Sequence, residues 1–151
     1  MGTVMFYHLT RSSVEETLMT ILPRALSQGW RVMLRGTDPA ALDRLDARLW
    51  LAEDHPFLPH GLEGGPHDAH QPVLIGRGPI TNGAQGLFLI DGAATTPDEA
   101  RPLDRVWLLF DGGDGAQLAD ARAKWKSLTE AGLPAQYWSE ESGRWEKKAE
   151  R

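Results

Sequence analysis

The chain has 151 residues and no cysteine, and its 16 basic and 21 acidic side chains leave a formal charge of -5. That length suits one compact domain able to bury a core without staples, and the missing thiols exclude disulfide frameworks, thiolate metal sites and cysteine nucleophiles. The acidic balance argues against a broad phosphate-binding surface of the kind duplex binders use.

Residues 4–7, VMFY, form the first β-rich run. Residues 13–28 follow with a helical pattern, entered by the S-x-x-E signal of Ser12 to Glu15 and closed at Gly29; Pro23 predicts a kink or an early stop near Leu22. Residues 31–34 read as a second strand and 39–51 as a second helix. The stretch 53–72, with four prolines, three glycines and four histidines, reads as one long loop, and long loops in compact domains often carry function. Residues 73–75 and 136–138 are weaker strands, whereas 86–90 and 106–110 are almost continuously apolar, as strands buried on both faces are. Residues 91–102 read as irregular, a third helix runs from Gly115 toward Gly132, and residues 141–151 form a charged tail with one isolated tryptophan, Trp145. This alternation predicts a single layered α/β domain over residues 1–140. Its central sheet is mostly parallel and flanked by helices, Rossmann-like without a nucleotide-binding loop. Met1-Gly2-Thr3-Val4 opens no basic segment leading into an apolar core, and no run of about 18 apolar residues occurs, which predicts a soluble cytoplasmic protein.

A fold of this class raises the question of a nucleotide, yet no G-x-x-x-x-G-K-[ST] loop is present. The turn DGGDG at 111–115 would aim two carboxylates at a phosphate with no lysine beside them. Asp91 and Asp111 follow apolar strands in the manner of metal-holding acids, but without a partner loop they read as turn formers. His67-x-x-His70 with Asp68 has the residue types for zinc, but a flexible loop is a poor frame for facing ligands. His55, His60, His67 and His70 therefore read as solvated or hydrogen-bonded. No G-x-S-x-G elbow exists, and no serine sits at a sharp strand-to-helix turn. Neither a metal, nor a cofactor, nor a catalytic residue is expected. The competing reading is a small-molecule or nucleotide-binding α/β enzyme, which needs a polar pocket around Asp91 and Asp111.

The helix after Gly115 sets Leu118, Ala121, Trp125 and Leu128 in one stripe, with Arg122 and Lys126 one turn apart and Lys124 beside them. Two readings stand. Trp125 is a core residue beneath a solvated cationic face, or the aromatic and its flanking cations receive a short acidic peptide with an apolar end. A second group gathers where ALDRLDARLW ends in Trp50 and is followed by Phe57, Leu58, Pro59 and His60. These residues either plug the loop onto the core or expose an apolar platform to a partner.

Taken in order, FYHL, GWRVML, ALDRLDARLW, FLPHGL, QPVLI, the two buried strands and ARAKWKSLTEAG followed by YW resemble the chi subunit family of bacterial DNA polymerase III over most of residues 3–138. LDxxLW followed by FxPH is the more specific part. The resemblance implies a non-catalytic α/β subunit of the clamp-loader assembly, linked to the acidic C-terminal tail of single-stranded-DNA-binding protein. It implies that Arg122 receives the tail's terminal carboxylate, that Lys126 supports it, and that Trp125 lines a pocket for the final phenylalanine and keeps part of its ring accessible. Lys124 would add diffuse charge. The small psi subunit or a helicase would dock through Trp50, Phe57, Leu58 and Pro59; DNA would be reached only through partners, and no membrane is involved. Some members carry a further lysine one turn before the arginine, where this chain has Leu118. Exposed ion pairs contribute about 0–1 kcal/mol each, so weaker rather than absent tail binding is expected.

Overall fold

The computed structural model describes residues 2–50 and 60–151, and of Trp50 the backbone alone. Along the chain run β1 (Thr3–Leu9), α1 (Val14–Ser27), β2 (Val32–Arg35), α2 (Pro39–Trp50), β3 (His60–Leu62), a 3-10 turn (Asp68–His70), β4 (Val73–Gly76) and β5 (Gly86–Leu89). Then come α3 (Pro97–Ala100), β6 (Arg105–Asp111), α4 (Gly115–Glu130), β7 (Ala135–Ser139) and β8 (Glu146–Glu150). The strands form one sheet in the order β3-β4-β2-β5-β6-β1-β7-β8. All neighbours are parallel except β7 and β8, which are antiparallel. This is the layered, mostly parallel α/β architecture that the alternating pattern predicts.

Because side chains alternate across a strand, each central strand supplies two cores. Val4, Phe6, Leu108 and Phe110 turn to one face, where Ala121 and Leu128 of α4 and Ala100 of α3 complete the packing. Met5, Leu9, Trp107 and Leu109 turn to the other and meet Leu18 and Leu22 of α1 and Leu42 and Leu45 of α2. On that side Trp107 stacks on Phe88 with ring centroids 4.1 Å apart. Each fully buried aliphatic or aromatic side chain stabilises the fold by roughly 1.5–3 kcal/mol, which is why the apolar runs become central strands.

Five local expectations change. The cap of α1 is Ser13, not Ser12: the Ser13 Oγ accepts the Glu16 N–H at 3.1 Å, while the Ser12 hydroxyl donates to Glu140 at 2.9 Å. The helix also runs through Pro23 instead of stopping at Leu22. Leu18 and Leu22 before the proline and Ala25 after it are buried, and their packing outweighs the roughly 3 kcal/mol that an interior proline costs. The presumed loop 53–72 contains β3 and the 3-10 turn, and the presumed irregular stretch contains α3. There Glu99 grips the buried Arg35 of β2 through two hydrogen bonds of 2.6 and 2.8 Å. Residues 141–151, read as a charged tail, turn back at Gly143, whose φ is +97°, and add β8 to the sheet edge.

Candidate functional site

The helix that carries the candidate cations is firmly held at both ends. Asp114 caps α4 by accepting the Ala116 and Gln117 N–H groups at 2.9 and 3.2 Å. At the other end Gly132 takes the left-handed conformation, φ +92°, while its N–H and that of Leu133 donate to the carbonyls of Thr129 and Leu128. This Schellman arrangement satisfies two orphan carbonyls, and the apolar contact expected of it fits Leu128 and Leu133, both buried. A helix fixed in this way presents its outer face without fraying.

On that face Arg122 and Lys126 are exposed, and neither ammonium nor guanidinium engages a protein acceptor among the described residues. Between them Trp125 is half-buried. Its ring meets Phe6 of β1 edge to face, centroids 5.2 Å apart, and lies 6.0 Å from Tyr137 of β7 at 76°. Leu118, one turn before Arg122, is also half-buried and packs into the same core. Lys124 is placed elsewhere. Its ammonium donates to the carbonyls of Gly92 and Ala93 at 3.0 and 2.9 Å and pairs with Asp120 at 2.5 Å, so its charge is engaged at the turn after β5.

Two residues of this neighbourhood escape the sequence reading. Phe6 pairs in register with Tyr137 across the parallel β1–β7 ladder, which brings Tyr137 beneath α4. His8, two residues on, places Nδ1 3.1 Å from the Tyr137 hydroxyl. Burial pushes the Tyr137 phenol up from its ordinary value; the Arg122 charge pulls it down and Glu141 adds to the rise. The signals in the sequence were a weak strand at 136–138 and the FYHL and YW segments of the family resemblance, and the register that unites these rings is not readable from them. The arrangement as a whole offers an unengaged guanidinium one turn from a half-covered indole, with a phenol forming the second wall. Such a surface suits a carboxylate and an adjoining aromatic or aliphatic group.

The other candidates have local structural partners. Asp111 accepts the Gly113 N–H at 2.8 Å, and Asp91 sits in the turn after β5 with φ +53°, as turn-forming aspartates do. Asp68 accepts the N–H groups of Gly64 and Gly65 at 2.8 and 3.0 Å, and among the described residues no group of three or more His, Cys, Asp or Glu is placed to hold a metal. Glu140 reaches back to the turn after β1, where it accepts the N–H groups of Thr10, Arg11 and Ser12 at 3.1, 2.7 and 2.6 Å. On the opposite sheet face a groove of about 370 Å³ runs between α1 and the β7–β8 hairpin, with Tyr7, Trp138 and Trp145 in its lining. Among the described residues no helix is long and apolar enough to cross a membrane. Phe57, Leu58 and Pro59, with the side chain of Trp50, lie outside the described residues; so does His55.

Comparison with known proteins gives two concordant results. A family model described as DNA polymerase III chi subunit, HolC, matches residues 1–136. A protein of Pseudomonas aeruginosa named DNA polymerase III subunit chi is 33% identical over 113 residues, covering 75% of this chain and 77% of its own length.

Proposed function

The chain belongs to the DNA polymerase III chi subunit family, and on that premise we propose that it acts in the cytoplasm as a non-catalytic accessory subunit of the clamp-loader assembly, tethering it to the acidic C-terminal tail of single-stranded-DNA-binding protein. The observation that carries this reading is the unengaged Arg122 beside the half-covered Trp125. The tail's terminal carboxylate pairs with the Arg122 fork, and its last phenylalanine packs against Trp125 and Tyr137. Lys126 adds field one turn along. Lys124 serves the site indirectly, by pinning α4 to the turn at Gly92 and Ala93.

A single contact of this size is weak and screened by salt. Tethering works because the tail is repeated on an oligomeric partner and the polymerase assembly is multivalent, so effective concentration compensates for modest affinity. The second platform, Trp50 with Phe57, Leu58 and Pro59, is assigned to psi or a helicase partner. In support, α2 packs on β3 and β4 at one side of the sheet, whereas α4 contacts β1 and β7 at the other, so two partners can be held at once. DNA is reached through those partners.

The nucleotide-binding enzyme is the weaker alternative. Folds of this class hold a phosphate on backbone N–H groups after a strand, and here that cluster after β1 is filled by the Glu140 carboxylate. The deciding experiment is a fluorescence-anisotropy titration of a labelled acidic peptide ending in Pro-Phe, with and without its phenylalanine, against the wild type and Arg122→Ala. Saturable binding that needs both the phenylalanine and Arg122 supports the tether; equal binding by Arg122→Ala removes the site.

A further inference from the structure

His8 is a buried histidine, 8% exposed, and its ring is held on every side. It stacks on Phe110 with centroids 5.2 Å apart. Its Nε2 lies against Gly112, where a Cβ would collide with that nitrogen, so glycine is the residue that fits. The same nitrogen faces Glu141 at 3.8 Å, and Nδ1 meets the Tyr137 hydroxyl at 3.1 Å. The ring therefore has one orientation, and its two nitrogens have separate duties. Tyr137, in turn, is edge-on to Trp125 and feels the charge of Arg122.

One hydrogen lies between Tyr137 Oη and His8 Nδ1, and either atom can supply it. When His8 is neutral with its proton on Nε2, the tautomer that Glu141 favours, Nδ1 is an acceptor. Tyr137 then gives its only O–H to the histidine, and its oxygen keeps no donor. When His8 carries both protons, Nδ1–H donates to Oη, and the tyrosine O–H is released as a donor. A carboxylate bound at Arg122 is an acceptor, so it selects the second arrangement.

We propose that Tyr137 is a second donor for the peptide carboxylate captured by Arg122, and that its donor direction is set by His8, so that capture is coupled to uptake of one proton at His8. This rests on the reading of Arg122 and Trp125 as the tail pocket. The charged groups around the ring fit the coupling. Asp111 and Asp114, from the turn between β6 and α4, already accept backbone N–H groups. Glu141 Oε1 lies 3.8 Å from Nε2, and the Arg122 charge acts on the Tyr137 phenol. A bound carboxylate accepts the O–H that the doubly protonated His8 releases from Tyr137. Binding and protonation thus strengthen each other, as reciprocal linkage requires.

The test is binding of the acidic Pro-Phe peptide at about pH 5.5 and about pH 8, a range over which histidines as a class change charge while peptide carboxylates, titrating near about 4, stay ionised. Calorimetry in two buffers of different ionisation enthalpy counts protons. The wild type is expected to bind at least about tenfold tighter at the lower pH, the size of one hydrogen bond to a charged group, with net proton uptake. Tyr137→Phe, which keeps the ring contacts with Trp125, should lose most of that gain at the lower pH and match the wild type at the higher one. His8→Gln, checked by thermal melting, should bind without proton uptake, and so should the wild type with a C-terminally amidated peptide. Equal behaviour of Tyr137→Phe and wild type at both pH values overturns the coupling alone, provided binding still needs Arg122; loss of the Arg122 requirement overturns the pocket and the coupling together.

Discussion

Phe6 and Trp125 meet edge to face, centroids 5.2 Å apart with ring planes at 65°. The fully buried Phe6 thereby sets the height at which the indole stands, and α4 is carried at that height with Arg122 on its outer side. Aromatic pairs of this geometry contribute about 0.5–1.5 kcal/mol beyond the area they bury. Trp125→Ala is therefore expected to cost about 2–3 kcal/mol in urea unfolding, less than a fully buried tryptophan, and to abolish peptide binding. Trp125→Phe should restore most of the stability and only part of the affinity.

Arg122 tests the opposite combination, a large effect on binding with none on the fold. Its exposed guanidinium has no protein partner among the described residues, so Arg122→Ala should shift the melting temperature by no more than about 2 °C. Tail affinity should fall at least about tenfold. Arg122→Lys should bind with intermediate affinity and a similar salt dependence, because it keeps the charge and loses the fork. A melting temperature lowered as far as in Trp125→Ala would mean that the arginine is structural.

Glu140 makes stability acid-sensitive. Burial pushes its carboxyl up, but the N–H donors of Ser12, Arg11 and Thr10 and the Ser12 hydroxyl together outweigh burial, and the net value is lowered. The folded pKa lies below the unfolded one, so the contribution is complete above the ordinary glutamate value near about 4.3 and is lost as pH falls through the folded value. Glu140→Gln should cost about 1.5–3 kcal/mol at neutral pH. The gap between wild type and variant should narrow in urea titrations carried out below about pH 4.

The Arg35–Glu99 pair predicts a larger loss. Arg35 is 8% exposed and also donates to the carbonyls of Gly78 and Ala94; its hydrogen bonds to Glu99 are the main reason that carboxyl is lowered from its ordinary value. Glu99→Ala leaves a buried cation without its counter-charge and should cost about 3–5 kcal/mol. Peptide binding by the folded fraction should be unchanged. A stability within about 1 kcal/mol of wild type would show that water replaces the carboxylate.

Trp50→Ala should spare the tail peptide and weaken binding of psi or a helicase partner in pull-down with the purified protein. Equal loss of both activities would point to misfolding instead.

The α/β class, the two central strands and α4 were legible because their signals are local: apolar runs, helical spacing, and a glycine at Gly132 that marks the helix end. Residues whose roles depend on distant partners were not. Ser12 reads as a cap until Glu140 claims its hydroxyl, and Pro23 reads as a stop until the packing of Leu18, Leu22 and Ala25 is known. Lys124 is two residues from Lys126 in the sequence but about 200° away around the helix, and the carbonyls that engage it come from the turn after β5. Tyr137 and His8 belong to strands whose register no single stretch of sequence reveals. The adjacency of Arg122 and Trp125 was readable because the helix alone brings them together; the Phe6 and Tyr137 rings that meet Trp125 were not, because the sheet brings them.

The place of β1 has a consequence for synthesis. It lies between β6 and β7, with Thr3 paired to Arg105 and Val4 to Ala135, so both of its neighbours are translated about a hundred residues later. At roughly 5–20 residues per second, β1 emerges from the ribosome some 5–20 seconds before anything native can pair with it. During that interval its apolar segment is a target for chaperones and for wrong partners, and the central sheet is completed only near the end of translation.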